Sequence, residues 1–171
     1  MPDIGIVPML NKLFKKNRPA ETADTSPTDA CGVPATPPKG KVLVVDDDAV
    51  VRKTLNIKLR AASYQVFEAS DGAMALASAR EQNPDIIIMD IHLPPEPGMA
   101  WDGFNLMKWL GRPCDGVRCP FVVITGGGSV DLRDKAMAAG AVDFFQKPVD
   151  IPALLATIEK LVTSRSQPGR A

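Results

Sequence analysis

The sequence is poor in the residues that staple or metallate a small protein. Its 171 residues include three cysteines, Cys31, Cys114 and Cys119, and a single histidine, His92. An odd number of cysteines is not a disulfide framework. Cys114 and Cys119 are close enough in sequence to share a metal ion, yet no further Cys or His stands near them to complete four ligands, so they read as structural or incidental thiols. Excess charge is also lacking, since Lys plus Arg and Asp plus Glu number 20 each. No global basic field exists to hold nucleic acid or an anionic membrane, and any such binding has to be local. There is no run of about 18 apolar residues to span a bilayer, so no transmembrane segment is expected. The apolar stretch 4–10 is followed, not preceded, by Lys12, Lys15, Lys16 and Arg18, the reverse of a secretory signal. A soluble, cytoplasmic protein is expected. No internal repeat occurs, and no room is left for a helix-turn-helix on either side of the folded part, so direct contact with nucleic acid is not expected.

What is present falls into segments of different texture. Residues 17–40 hold Pro, Thr, Ala, Ser and Asp with almost no large apolar side chain, too little to offset ordering entropy, and read as a disordered linker. Before it, over 1–16, Met9, Leu10, Leu13 and Phe14 recur at helical spacing opposite Asn11, Lys12, Lys15 and Lys16. This predicts a short basic amphipathic segment, better suited to a partner's groove or its own domain than to a membrane. From Lys41 to about residue 163, short apolar runs (42–45, 64–69, 86–89, 121–124, 142–146) alternate with segments of helical period (49–61, 72–81, 103–110, 130–139, 151–162). That alternation is the signature of βαβ units: an α/β domain with a five-stranded parallel sheet and helices on both faces. Residues 164–171 are left as a tail.

Four of the apolar runs end in residues that a core does not favour. Val45 gives way to Asp46 and Asp47, Met89 to Asp90, Ile124 to Thr125 and Gln146 to Lys147. All four endings lie at the carboxyl edge of the predicted sheet, where open α/β folds bind ligands. If the first and third strands are neighbours, three carboxylates share one small volume. They repel unless a cation sits among them, and Mg²⁺, held by one or two carboxylates together with a phosphate, suits an open site of this kind. Asp48 reads instead as the cap of the helix beginning at Ala49.

The motifs VLVVDDDAVVR, IIIMDIHLP, VVIT and GAVDFFQKP, in this order from about Lys41 to Val162, resemble the response-regulator receiver family, which includes the bacterial chemotaxis regulators. The resemblance implies a flavodoxin-like doubly wound sheet of order 2-1-3-4-5 in three layers. It implies that Asp90 accepts a phosphoryl group and that Asp46, Asp47, Asp90 and the backbone carbonyl of His92 hold Mg²⁺. Thr125 and Lys147 would engage phosphoryl oxygens, and the Lys147-Pro148 bond would be cis. Phe144, three residues before Lys147, stands where the family has an aromatic that turns inward with the threonine, and it reads equally as a plain core aromatic. His92 would border the site and modulate phosphate lifetime. The donor would be a phosphohistidine on a sensor histidine kinase or phosphotransfer protein. Output would pass through the face of the fourth helix, fifth strand and fifth helix, to a protein target or a second copy in a homodimer.

Elementary chemistry agrees with these roles. A carboxylate is a competent nucleophile for phosphoryl transfer once its neighbours screen the incoming charge. Phosphorylation then adds roughly −2 of charge and three strong acceptors, which a threonine and a lysine can recruit. The expectation is thus a stand-alone signalling switch rather than an enzyme, capable at most of self-phosphorylation from a donor and slow autodephosphorylation. The sequence departs from the family after Pro94, where PEPGMAW precedes Asp102-Gly103, an insertion of about five residues that reads as a lid, a partner contact or a plain extended loop. Two rivals remain. Asp46-Asp47-Asp48-Ala49-Val50 fits the motif of haloacid-dehalogenase-type Mg²⁺ phosphatases, with Asp46 as nucleophile, although Gln146 and Lys147 stand where that family needs an acidic pair. A receiver-like adaptor that works without phosphate is the other.

Overall fold

A computed structural model describes residues 37–93, 102–111, 119–127 and 130–165 of the chain. Strands and helices alternate: β1 (Lys41–Val45), α1 (Ala49–Ala61), β2 (Gln65–Ala69), α2 (Gly72–Gln82), β3 (Ile86–Met89), α3 (Gly103–Leu110), β4 (Phe121–Thr125), α4 (Val130–Ala138), β5 (Ala141–Gln146) and α5 (Ile151–Arg165). All strand pairs are parallel and the order is β2-β1-β3-β4-β5, the flavodoxin-like doubly wound arrangement expected. The expected amphipathic segment 1–16, the linker through residue 36, Cys31, Cys114 and the insertion with Pro95, Pro97, Met99 and Trp101 lie outside the described residues.

The central strands β1, β3 and β4 read as nearly unbroken apolar runs because both faces of the sheet are covered there, whereas the edge strands β2 and β5 carry Glu68 and Asp143 and are less buried. Leu43, Val45, Ile87, Met89 and Val123 face a core completed by Ala75 and Ala79 of α2, Leu106, Met107 and Leu110 of α3, and Ala136 of α4. Val42, Val44, Ile86, Ile88, Val122 and Ile124 face the opposite core, filled by Leu55 and Leu59 of α1 and Leu154, Ile158 and Val162 of α5. Each Val, Leu, Ile or Met among them, once buried, contributes roughly 1.5–3 kcal/mol, and each alanine less. Aspartates start four helices: Asp48 accepts from the Val50 amide, Asp71 from Met74, Asp102 from Asn105 and Asp150 from Ala153.

Most element ends fall within one residue of the sequence reading, and three boundaries differ from it for a physical reason. Tyr64, expected to begin the second strand, instead closes α1: Ser63 takes a left-handed φ of 70°, the Ser63 amide bonds the Arg60 carbonyl at 2.9 Å and the Tyr64 amide reaches the Leu59 carbonyl at 3.1 Å. This places the Tyr64 ring in the α1–α5 core beside Leu59. Lys39 and Gly40, assigned to the linker, are part of the domain, since the Lys39 amide donates to the Ser63 carbonyl and the Gly40 carbonyl accepts from Gln65. The last helix continues to Arg165, whose guanidinium donates to the Asp85 carbonyl at 3.1 Å. No described helix is long and apolar enough to cross a membrane.

The register positions the site. Val45 is the Cα partner of Met89, and the Asp90 amide donates to the Val45 carbonyl at 2.9 Å, so Asp46 and Asp90 leave adjacent strands side by side. Thr125 ends β4 opposite Gln146, and the Lys147 amide donates to the Thr125 carbonyl at 2.8 Å. The Lys147-Pro148 peptide is cis.

Candidate functional site

The residues singled out at the strand ends converge on one crevice. Carboxylate oxygens of Asp46, Asp47 and Asp90 lie within 4.8 Å of one another, the one such cluster of potential metal ligands among the described residues. Asp46 and Asp90 are 2% and 5% exposed and Thr125 is fully buried, which makes them the buried polar side chains of the described fold; Asp47 is exposed. Lys147 reaches in from the end of β5 and places Nζ 2.6 Å from Oδ2 of both Asp46 and Asp90.

The acidic loop is held by its own backbone. The Asp48 amide donates to Oδ1 of Asp46 at 2.9 Å, while the Asp48 carboxylate turns away to cap α1 at 2.7 Å from the Val50 amide. From the next turn, the Arg52 guanidinium donates to the carbonyls of Asp46 at 2.5 Å and Asp47 at 2.9 Å, with Glu68 3.8 Å from its Nε. Sequence reasoning did not single out Arg52; its spacing of six from Asp46, a little more than one turn into α1, is the signal that it can fold back over the loop.

Electrostatics follow from burial. Loss of water pushes the Asp46 carboxyl above its ordinary value, and the hydrogen bonds from Lys147 and the Asp48 amide only partly offset this. For Lys147, burial by itself would lower the ammonium, yet hydrogen bonds to Asp46 and Asp90 outweigh it and leave the group raised. One ammonium divided between two carboxylates does not fully offset the burial of Asp46. The donors are all oxygens, two buried and one at the mouth, a set that fits a hard divalent cation such as Mg²⁺.

His92 sits beside the cluster in a way that the sequence did not reveal. Its amide donates to Oδ1 of Asp90 at 2.9 Å, and its ring Nδ1 lies 2.9 Å from Oγ1 of Thr125 and 3.7 Å from Oδ1 of Asp90. The Gly127 amide also donates to Thr125 Oγ1, at 3.3 Å. Phe144 is half-buried against the core formed with α2, α3 and α4; its amide donates to Asp143 Oδ1, and its carbonyl accepts from Arg133 of α4 at 3.4 Å. Gly103 is a further site residue that sequence reading passed over. A Cβ there would stand 2.5 Å from Cα of Ile91 and 2.7 Å from the Asp90 carbonyl oxygen, so the start of α3 rests directly on the backbone that carries Asp90.

Comparison with known proteins agrees with this architecture. A family model described as the response regulator receiver domain matches residues 42–159. The chain is 38% identical over 125 residues to the transcriptional regulatory protein PrrA of Mycobacterium tuberculosis, covering 73% of this chain and 51% of PrrA. It is 29% identical over 126 residues to the sporulation initiation phosphotransferase F of Bacillus subtilis, covering 74% of this chain and 96% of that protein. Among solved structures, the chemotaxis response regulator CheY4 of Vibrio cholerae superposes with a TM-score of 0.62 at 30% identity, over 71% of this chain and 97% of that one. The chain spans about half the length of PrrA and of the other curated regulators that head the comparison.

Proposed function

Since the chain belongs to the response regulator receiver domain family of two-component signalling, we propose that it is a switch operated by phosphorylation of Asp90. An Asp90 carboxylate oxygen attacks the phosphorus of a phosphohistidine on a sensor histidine kinase or phosphotransfer protein. The O–P bond forms as the N–P bond breaks, and the imidazole departs with the bonding pair. Mg²⁺, held by Asp46, Asp47, Asp90 and the His92 backbone carbonyl, would supply charge neutralisation to the phosphoryl oxygens. Lys147 is placed to exchange its contact with Asp90 for one with a phosphoryl oxygen, and Thr125 to donate its hydroxyl to another.

The single observation that carries this reading is the shared ammonium: Lys147 Nζ stands 2.6 Å from both Asp46 and Asp90 at the mouth marked by Asp47. A buried acceptor already paired with an ammonium has one of the charges that a phosphoryl group needs beside it, and the cation held by the three aspartates would add the rest. Turning of Thr125 toward that group would give Phe144 room to move inward, and α4, β5 and α5 would carry the change to a target. Val130 and Met137 of α4 and Val142 of β5 are exposed apolar side chains on these elements, which suits a protein partner or a second copy. Phosphate shifts the equilibrium only through its different affinity for the two shapes. The chain then works as a cytoplasmic signalling switch rather than an enzyme, with slow loss of the phosphoryl group to water.

The test is intact-mass detection after exposure to acetyl phosphate and Mg²⁺. One added phosphoryl group on the wild type and none on Asp90→Asn is the expected result. An equal label on Asp90→Asn sinks the assignment. Sustained hydrolysis of a generic phosphate ester that survives Asp90→Asn but dies with Asp46→Asn would point to a phosphatase instead.

A further inference from the structure

We infer that the His92 imidazole is a latch that holds Thr125 in the unphosphorylated arrangement, so that phosphorylation must break the His92–Thr125 hydrogen bond before the switch can move. This rests on the reading of Asp90 as acceptor. A threonine hydroxyl has one hydrogen to donate and two lone pairs. In the buried Thr125, Oγ1 is engaged by His92 Nδ1 at 2.9 Å and by the Gly127 amide at 3.3 Å. If Nδ1 accepts, it holds the only hydrogen that a phosphoryl oxygen could use. If Nδ1 donates, it fixes Oγ1 on the side of the ring. With either tautomer the bond opposes rotation of Thr125 toward a phosphoryl group.

The latch touches both ends of the switch. The His92 amide is bonded to Oδ1 of Asp90 at 2.9 Å while its ring holds Thr125, so one residue reads the acceptor with its backbone and the switch with its side chain. The ring also lies against Gly127, where a Cβ would be 3.4 Å from His92 Cε1 and 2.9 Å from Leu132 Cδ1 of α4. Gly127 thus fills the narrow gap between the latch and α4, and release of the ring is felt at the helix. His92 acts here as a positioning residue; its side chain is 62% exposed, so its replacement leaves the core intact.

The experiment measures binding of trifluoroberyllate, a phosphoryl mimic, with Mg²⁺ at fixed pH by titration calorimetry. His92→Leu, which loses the bond, is expected to bind about five-fold tighter than the wild type, the worth of one neutral hydrogen bond. His92→Asn, whose amide stands where Nδ1 stood, is expected to bind like the wild type. In a Thr125→Val background the His92→Leu gain should vanish. Equal or weaker binding by His92→Leu, His92→Asn as tight as His92→Leu, or a gain that persists without the Thr125 hydroxyl overturns the latch. Binding that is the same in wild type and Asp90→Asn overturns the acceptor reading instead.

Discussion

The ammonium of Lys147 stands 2.6 Å from Oδ2 of Asp90, and the same nitrogen serves Asp46 at the same distance. Removing it leaves two buried carboxylates without a counter-charge. Lys147→Met is therefore expected to lose about 2 kcal/mol of stability in metal-free buffer, less than a fully buried pair because the side chain is one-fifth exposed. If the acidic cluster holds Mg²⁺ as proposed, the ion takes over the same neutralisation, and the deficit should shrink when it is added. Urea unfolding with EDTA and with Mg²⁺ checks this; a deficit that Mg²⁺ leaves untouched means that the cluster does not hold the cation.

Adjacent aspartates have separable tasks. Asp47 is exposed and belongs to the acidic cluster, whereas the Asp48 carboxylate is 2.7 Å from the Val50 amide at the start of α1. Asp47→Asn should weaken Mg²⁺ binding at least several-fold with little change in unfolding midpoint. Asp48→Ala should cost about 1 kcal/mol of stability, the usual price of a lost cap, with Mg²⁺ affinity nearly kept. Calorimetric Mg²⁺ titration paired with urea unfolding reads both; a similar profile for the two variants contradicts the division.

The fold was legible because the central strands are covered on both faces and so read as nearly unbroken apolar runs, and because aspartates mark the starts of α1, α2 and α3. The site was legible for a related reason. Asp46, Asp90, Thr125 and Lys147 interrupt those runs where a parallel sheet aligns its carboxyl ends, and the β1–β3 register then brings two of them together. Contacts that depend on the path of a loop were not legible. The His92 ring meets Thr125 only because the chain after Asp90 bends over the end of β4, and sequence spacing carries no trace of that bend. Tyr64 misled for the opposite reason: it has the composition of a strand residue, yet the left-handed Ser63 before it commits the backbone to closing α1.

Cys119 supplies a pH dependence. Burial pushes its thiol up to about 12, against a smaller lowering by Arg165. An unfolded thiol gives up its proton near about 8.5, so between that value and the folded one the folded state binds the extra proton. Stability conferred by the neutral thiol is then full below the unfolded value and falls as pH rises through the window, by about 1.4 kcal/mol for each pH unit. Cys119→Val, of similar volume, lacks this slope. The gap between wild type and variant should widen in favour of the variant by about 2 kcal/mol from pH 8 to pH 10. Parallel urea curves at the two pH values would show a constant gap if the thiol titrates normally.

Gly103 tests whether the seat of α3 on the backbone that carries Asp90 is as tight as its contacts indicate. An added methyl would meet Cα of Ile91 at 2.5 Å and the Asp90 carbonyl oxygen at 2.7 Å, backbone atoms that cannot turn aside as a side chain end can. At Gly126, by contrast, nothing lies within 4 Å of the same methyl. Gly103→Ala is expected to cost about 3 kcal/mol, at the upper end of overpacking because the helix has to shift as a unit, whereas Gly126→Ala should stay within about 0.5 kcal/mol of the wild type. Because the shift is transmitted to the Asp90 backbone, Gly103→Ala should also slow the proposed labelling of Asp90 by acetyl phosphate, under conditions where the variant is still folded. Equal unfolding midpoints for the two alanine variants would mean that α3 has slack at its start and does not brace Asp90.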